Sequence, residues 1–359
     1  MNSLDDDSLN SLTQWSLEQD LEFILSTTEE VFLSLKSARI FITGGTGFIG
    51  SWLLESLRHA DMRLSLGIKL TVLTRDVAAF KLKAPHLAEY EAFNFVEGEV
   101  ASFTSPEGSF THVIHAATDA SADLNANNPV GMFDTVVDGT KRVLDFAVEK
   151  EPARILYLSS GAVYGQQPWE MERVSEEWIG APSCVDPKAA YAEGKRAAEM
   201  MCALYGKQFG LQISIARIFA LLGPYLSLGI HFAAGNFIRD AMQGKPVIVQ
   251  GNGLPCRSYL YAADLTTWLW HLLQRGAPNK PYNVGSDESV SIKLLAQRVS
   301  RVLGAGDCQV LNADDQGWNL GRYVPDTSQI GRDLGLYKTV SLDEGIRRTA
   351  LWNGWKEKS

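Results

Sequence analysis

Three side chains in this 359-residue sequence have the types and spacing needed to move a proton and a hydride together. Tyr191 and Lys195 stand four apart in a stretch, Ala190 to Tyr205, whose pattern is helical, so both point the same way. A free tyrosine titrates near ~10 and is a poor base at neutral pH. An ammonium nearby, reinforced by the positive charge of an oxidised hydride acceptor, favours the phenolate. Such a phenolate takes a proton from a hydroxyl, or its phenol returns one to a carbonyl, as hydride leaves or arrives. Ser160 ends the apolar run Arg154–Ser160, just ahead of Gly161-Ala162-Val163-Tyr164-Gly165, and is placed to hydrogen-bond the same oxygen. A Tyr-x-x-x-Lys pair alone is common by chance, so the surrounding elements carry the weight.

The element that must hold the hydride carrier comes earlier. Ile40 to Thr43 is a short apolar strand that runs into Gly44, Gly47 and Gly50 and then into an apolar helix through Trp52 and Leu57. The first glycine lets the chain turn, the second lets backbone approach a pyrophosphate, and the third packs helix against sheet. The helix N-terminus then faces the phosphates. This pattern sets Gly44, Thr46, Gly47, Phe48, Ile49 and Gly50 against a dinucleotide. Lys69–Thr74 reads as the second strand, whose end faces the adenosine ribose. Arg75 follows it directly and favours NADP over NAD, while Asp76 keeps NAD open.

Phe93 to Glu99 reads as the third strand and its exit, and Thr111 to Thr118 as the fourth. The small residues Ala116 and Ala117 after it suit close approach of a cofactor, and His115 beside them reads as structural rather than as a base. Phe133 to Val148 is an amphipathic helix leading to the fifth strand at Arg154. Strand and helix alternate throughout, which predicts an α/β, doubly wound parallel sheet. Before it, apolar positions from Trp15 to Leu35 recur at helical spacing and read as one or two short helices docked outside the first lobe. Met1 to Asp7 is polar and reads as frayed.

Net charge is −9 with no basic block, so nucleic acid is not an expected partner. The four cysteines are scattered without metal-ligand spacing, and no leader or long apolar run is visible. The expectation is a cytoplasmic protein with free thiols, no metal and no membrane association.

Taken together, these motifs resemble the extended short-chain dehydrogenase/reductases of the nucleotide-sugar epimerase/dehydratase group, over about residues 38 to 352. The resemblance implies Ser160, Tyr191 and Lys195 as the catalytic set, with Tyr191 and Lys195 also touching the cofactor. It implies a helical extension over 1–36, a Rossmann domain over 37–219, and a smaller mixed α/β substrate-binding domain over 220–359. Part of 258–285 is expected to return to the first lobe. Arg257, in the segment Pro246 to Leu265, matches the group's diphosphate arginine, and a guanidinium fork suits phosphate oxygens. Asn236 matches a nucleotide-contacting position, and Arg322 is a weak substitute for a second phosphate arginine. A homodimer through the helices Phe133–Val148 and Ala190–Tyr205 is also implied.

The departures narrow the chemistry. Where the 4,6-dehydratases carry Asp-Glu after the Ser/Thr, this chain has Gly161-Ala162, and sugar-acid decarboxylases usually carry a Glu there too. Ala220, Val136 and Glu99 also replace residues usual in the group. Tyr191 is then left as the one proton carrier, which favours a 4-epimerase or a 4-keto-sugar reductase acting on a nucleotide-diphosphate sugar. The alternatives are a 4,6-dehydratase or decarboxylase, or a non-sugar carbonyl reductase. A non-catalytic dinucleotide sensor ranks last, because both Tyr191 and Lys195 are kept.

Overall fold

The computed structural model describes residues 15–118, 122–229, 233–313 and 321–357; Met1 to Asp7 lie outside them. The chain opens with α1 (Leu17–Ser34), then β1 (Arg39–Thr43), α2 (Phe48–Leu64), β2 (Lys69–Thr74) and α3 (Val77–Lys83). β3 (Phe93–Glu97), β4 (His112–His115), α4 (Pro129–Lys150), β5 (Arg154–Ser160), α5 (Ala190–Phe209) and β6 (Ile213–Ile218) follow. The remainder holds α6 (Ala233–Met242), β7 (Cys256–Arg257), α7 (Ala262–Arg275), β8 (Pro281–Val284), β9 (Val290–Ser291), α8 (Ile292–Leu303), β10 (Arg322–Tyr323) and α9 (Leu342–Trp352).

Seven strands form one parallel sheet in the order β8-β6-β5-β4-β1-β2-β3. This is the Rossmann-type doubly wound arrangement, with its switch point between β1 and β4. The central strands are apolar throughout, as strands covered on both faces must be. One face packs Phe41, Phe103, Phe110 and Phe146 under α4 and α5. The other packs α2 and α7 beneath α1. A third core, around Phe237, Ile238, Leu295, Val299 and Ile346, holds α6, α8 and α9 together in the smaller lobe.

In the described part of the extension the apolar pattern forms one helix, longer than expected at 18 residues. Its reason is α7, in which every residue from Ala262 to Leu273 is buried. A helix buried on every face needs cover on both sides, and α1 supplies the outer one. Phe32 meets Trp270 at 5.5 Å between ring centroids. Asp20, 1% exposed, accepts from the Tyr261 hydroxyl at 2.6 Å and from Arg348 of α9. α4 starts earlier than its apolar pattern, because Asn128 caps Gly131 N at 3.0 Å with Pro129 at the first helical position. Among the described residues no helix is long and apolar enough to cross a membrane.

Candidate active site

The glycine turn has the shape a dinucleotide needs. Gly44 has φ +72°, and a Cβ there would lie 2.6 Å from the backbone of Ala116 and Ala117. A Cβ on Gly50 would collide with the Gly44 carbonyl, so helix and turn pack only without it. Gly47 is exposed and precedes α2 without any side-chain cap, which leaves first-turn amides open to an anion. Thr46 and Thr74 meet at 3.1 Å between hydroxyls, while Phe48 and Ile49 begin the helix. These residues therefore fit a pyrophosphate and its adenosine.

His115 supports that turn from behind, as its strand-end setting implies. Ala117 N donates to Thr43 Oγ1 at 3.2 Å, so the Thr43 proton goes to His115 Nδ1 at 2.8 Å. Nε2 then donates to Thr140 Oγ1 at 3.1 Å, which passes its own proton to Val136 O at 2.7 Å. One neutral tautomer satisfies the whole chain of bonds. Burial, aided by the Lys195 charge, pushes the imidazole down to about 3.

Ser160 ends β5 with its Oγ accepting from Ala162 N at 3.2 Å. Tyr191 and Lys195 lie in the first two turns of α5, whose start is tied down by Asn125 Oδ1 accepting from Tyr191 N at 3.1 Å. The lysine ammonium is hydrogen-bonded to groups other than the phenol, with Nζ donating to Leu158 O at 2.6 Å and to Thr118 Oγ1 at 2.8 Å. Burial raises the Tyr191 phenol, and Ser160 is what pulls it back. Depressing it further is left to the positive ring of an oxidised cofactor. Burial also brings Lys195 down to about 7, partly offset by Cys202 and Glu199. Glu199 in turn accepts hydrogen bonds from Ser159 Oγ at 2.6 Å and from the Arg217 fork, fixing the strand end behind the site.

Tyr323 is the site residue the sequence reading missed. Its hydroxyl lies 3.5 Å from Ser160 Oγ, and its ring stacks on Phe219 at 4.5 Å. β10 pairs with β7 so that Tyr323 stands beside Arg257. Arg257 thus shares a strand face with the catalytic end, its Nη1 donating to the carbonyls of Cys256 and Gly321. It makes no salt bridge with Asp264, which caps Thr339 and Val340 instead. Arg322, one residue along, faces the other way and lies over the Trp169 ring at 4.5 Å. It is not placed with Arg257 as a second phosphate ligand. Asn236 sits on α6 and accepts from Arg239 at 3.1 Å, and Arg75 is exposed just past β2. Thr118 could not be found from spacing, since only the fold brings it under Lys195.

The model of the NAD dependent epimerase/dehydratase family matches residues 40–285. The chain belongs to that family. As a member it is a nucleotide-sugar type, extended short-chain dehydrogenase/reductase with an NAD-dependent site. It is 32% identical over 319 residues to UDP-glucuronic acid decarboxylase 1 of Xenopus tropicalis, covering 89% of this chain and 73% of that protein. To dTDP-glucose 4,6-dehydratase of Streptomyces niveus it is 26% identical over 321 residues, covering 88% and 92%. The Thermus thermophilus UDP-glucose 4-epimerase in complex with NAD superposes with a TM-score of 0.71 at 26% identity, covering 88% and 99%. For this epimerase/dehydratase family member, the decarboxylase and dehydratase relatives favour what the sequence alone ranks second.

The family's lysine gives a pH signature in this chain. Its ordinary value is 10.5, and the folded value is about 7. Between them the unfolded chain holds a proton that the folded chain has released, so stability rises with pH across about 7 to 10.5, by up to ~1.4 kcal/mol per pH unit. Denaturant titrations of the wild type and Lys195→Met at several pH values are expected to differ by this slope. Parallel curves would show that Lys195 is not buried as drawn.

Proposed function

We propose that this chain oxidises C4 of a nucleotide-diphosphate sugar, with Tyr191 as base and NAD(P) seated on Gly44, Thr46, Gly47, Phe48, Ile49 and Gly50, and then consumes the 4-ketone in the same site. The bound nicotinamide supplies the hydride acceptor and, later, the donor. Tyr191 takes the proton from the C4 hydroxyl, and Ser160 steadies that oxygen as it becomes a carbonyl. Lys195 and Thr118 hold the cofactor side of the phenol, and Arg257 binds a diphosphate oxygen. Gly44 packed on Ala116 and Ala117 keeps that seat close to β4.

The observation that carries the choice among fates is the space beside Ser160. A Cβ on Gly161 would lie 2.6 Å from the Phe219 ring, and Ala162 bears no carboxylate, so the pair that expels water in a dehydratase has no place here. Loss of CO2 from a 4-ketohexuronate expels no water, so it does not need that pair, although the Glu that sugar-acid decarboxylases usually carry there is replaced as well. The C5–C6 electrons flow into the C4 carbonyl as CO2 departs, the resulting enolate takes a proton from water at C5 and re-forms the C4 ketone, and return of the hydride to C4 with the Tyr191 proton to O4 would yield a nucleotide pentose. The decarboxylase relatives support this reading, with an NAD-dependent 4-epimerase or 4-keto-sugar reductase as the second, favoured by the same lack of carboxylates. Incubation with UDP-glucuronate, UDP-glucose and dTDP-glucose, followed by NMR of the products, tests it. A pentose nucleotide from the uronate alone is the expected result; interconversion of UDP-glucose and UDP-galactose would move the assignment to the epimerase.

We also propose that two copies pair through α4 and α5. Val130, Phe133, Met200 and Leu204 leave an exposed apolar stripe there, with Val130 and Met200 69% and 61% exposed. Light scattering is expected to give twice the chain mass, falling to one chain in a Met200→Lys, Leu204→Lys variant. A monomeric wild type would end this reading.

A further inference from the structure

Where the start of α1 crosses the second half of α2, three side chains with metal-binding atoms converge. Glu18 and Glu22 stand four apart on α1, so their carboxylates share one face of that helix. His59 of α2 lies against this face, with Nδ1 3.7 Å from Glu18 Oε1 and Nε2 3.3 Å from Glu22 Oε1. One donor atom from each of the three residues falls within 4.8 Å of the others. His59 is only 7% exposed, and its Nε2 is enclosed without a hydrogen bond, despite the nearby carboxylate.

A buried polar atom left without a hydrogen bond costs free energy, and native structures keep few of them. A neutral imidazole can instead give the lone pair of that nitrogen to a cation. The donor set then selects the ion. One imidazole nitrogen with two carboxylate oxygens suits zinc, whereas calcium and magnesium prefer oxygen ligands throughout. Ligands about 2.1 Å from a tetrahedral zinc ion stand roughly 3.4 Å from one another. Nε2 and Glu22 Oε1 already have this spacing, and the exposed Glu18 reaches it by a change of rotamer. Arg63 holds Glu22 Oε1 at 2.7 Å from the solvent side, which steadies the carboxylate and offsets one negative charge.

We propose that Glu18, Glu22 and His59 form a zinc site that staples the start of α1 to α2, with water completing the coordination. The ion ties the extension that covers α7 to the helix that begins at the glycine turn. None of its ligands belongs to the set of Ser160, Tyr191 and Lys195, so its effect is on stability. Spacing along the chain does not show the site, because two ligands come from one helix and the third from another.

Calorimetric titration of the chelator-stripped full chain with zinc chloride tests the staple, with thermal melting and hydrogen exchange alongside. One equivalent is expected to bind. Zinc at a hundredfold excess over its Kd is expected to raise Tm by roughly 4 °C. Exchange over Leu17–Leu25 is expected to slow with it. Magnesium chloride is expected to do neither. Glu18→Gln changes an exposed side chain, so the metal-free Tm should hold while zinc affinity falls roughly tenfold or more. His59→Asn is expected to abolish binding. A chain that takes up no zinc would overturn the proposal. So would binding that survives both substitutions, which would place the ion on other groups such as the free cysteines. A rise in Tm without slower exchange in α1, or an equal response to magnesium, would overturn it too.

Discussion

Tyr191→Phe is expected to lower the rate of hydride transfer by about a thousandfold while leaving dinucleotide affinity nearly unchanged. General acid–base groups contribute ~10²–10⁴-fold, and the two positions after Ser160, where a carboxylate could share the work, are Gly161 and Ala162. Its phenol is raised by burial in the free protein, so the base form must be produced by the charge that arrives with the oxidised cofactor. Tyr323 is the competitor for the same role. It reaches Ser160 only at 3.5 Å, and burial holds its proton firmly, so Tyr323→Phe is expected to cost far less. Single-turnover absorbance of the reduced nicotinamide, with a dinucleotide titration alongside, separates the two. A Tyr191→Phe protein within tenfold of wild type, paired with a dead Tyr323→Phe, would exchange their roles.

Removal of residues 1–34 is expected to prevent folding rather than trim an ornament. Leu21, Ile24, Leu25, Val31 and Phe32 are buried on α1, the last at 0% exposure. At ~1.5–3 kcal/mol for each side chain, their burial is worth on the order of 10 kcal/mol, comparable with the whole stability of a domain. The truncation also uncovers α7 at Trp270, Thr267 and His271, and leaves Arg348 and Tyr261 without Asp20. The expected product is insoluble. A truncated chain that unfolds cooperatively near the wild-type denaturant midpoint would show that α1 is dispensable.

Much of this was legible in the residues because the signals are local. Gly44, Gly47 and Gly50 work within one strand–turn–helix, and Tyr191 and Lys195 within two helical turns, so spacing alone finds them. The alternation of strand and helix similarly predicts a parallel sheet, though not the order of its strands. What spacing cannot find is whatever distant pairing delivers. Tyr323 reaches Ser160 because a two-residue strand pairs with Cys256–Arg257. The same pairing turns Arg322 away from Arg257, since neighbours on a strand face opposite sides. Helical spacing likewise puts Tyr191 and Lys195 on one face, but it does not show that the Leu158 carbonyl and the Thr118 hydroxyl take hydrogen bonds from the ammonium. Nor does 262–273 announce its burial, because Asp264, Thr267 and His271 form a polar stripe at helical spacing, and only the fold sets Thr27 of α1 against Thr267 and His271.

The cover has a cost in time. Tyr261 follows Asp20 by 241 residues. At ~5–20 residues added per second, α7 emerges from the ribosome on the order of ten to fifty seconds after α1. Throughout that interval the newborn chain displays the apolar stripe of α1 with its final surface not yet made. The Rossmann strands can begin to pair meanwhile, yet the lobe cannot close over β5 and β6 until α7 arrives to be sandwiched. Synthesis of this protein therefore includes an obligatory wait with a sticky helix exposed, a natural point of engagement for a holding chaperone and the stage at which slow translation or crowding would most readily divert chains into aggregates.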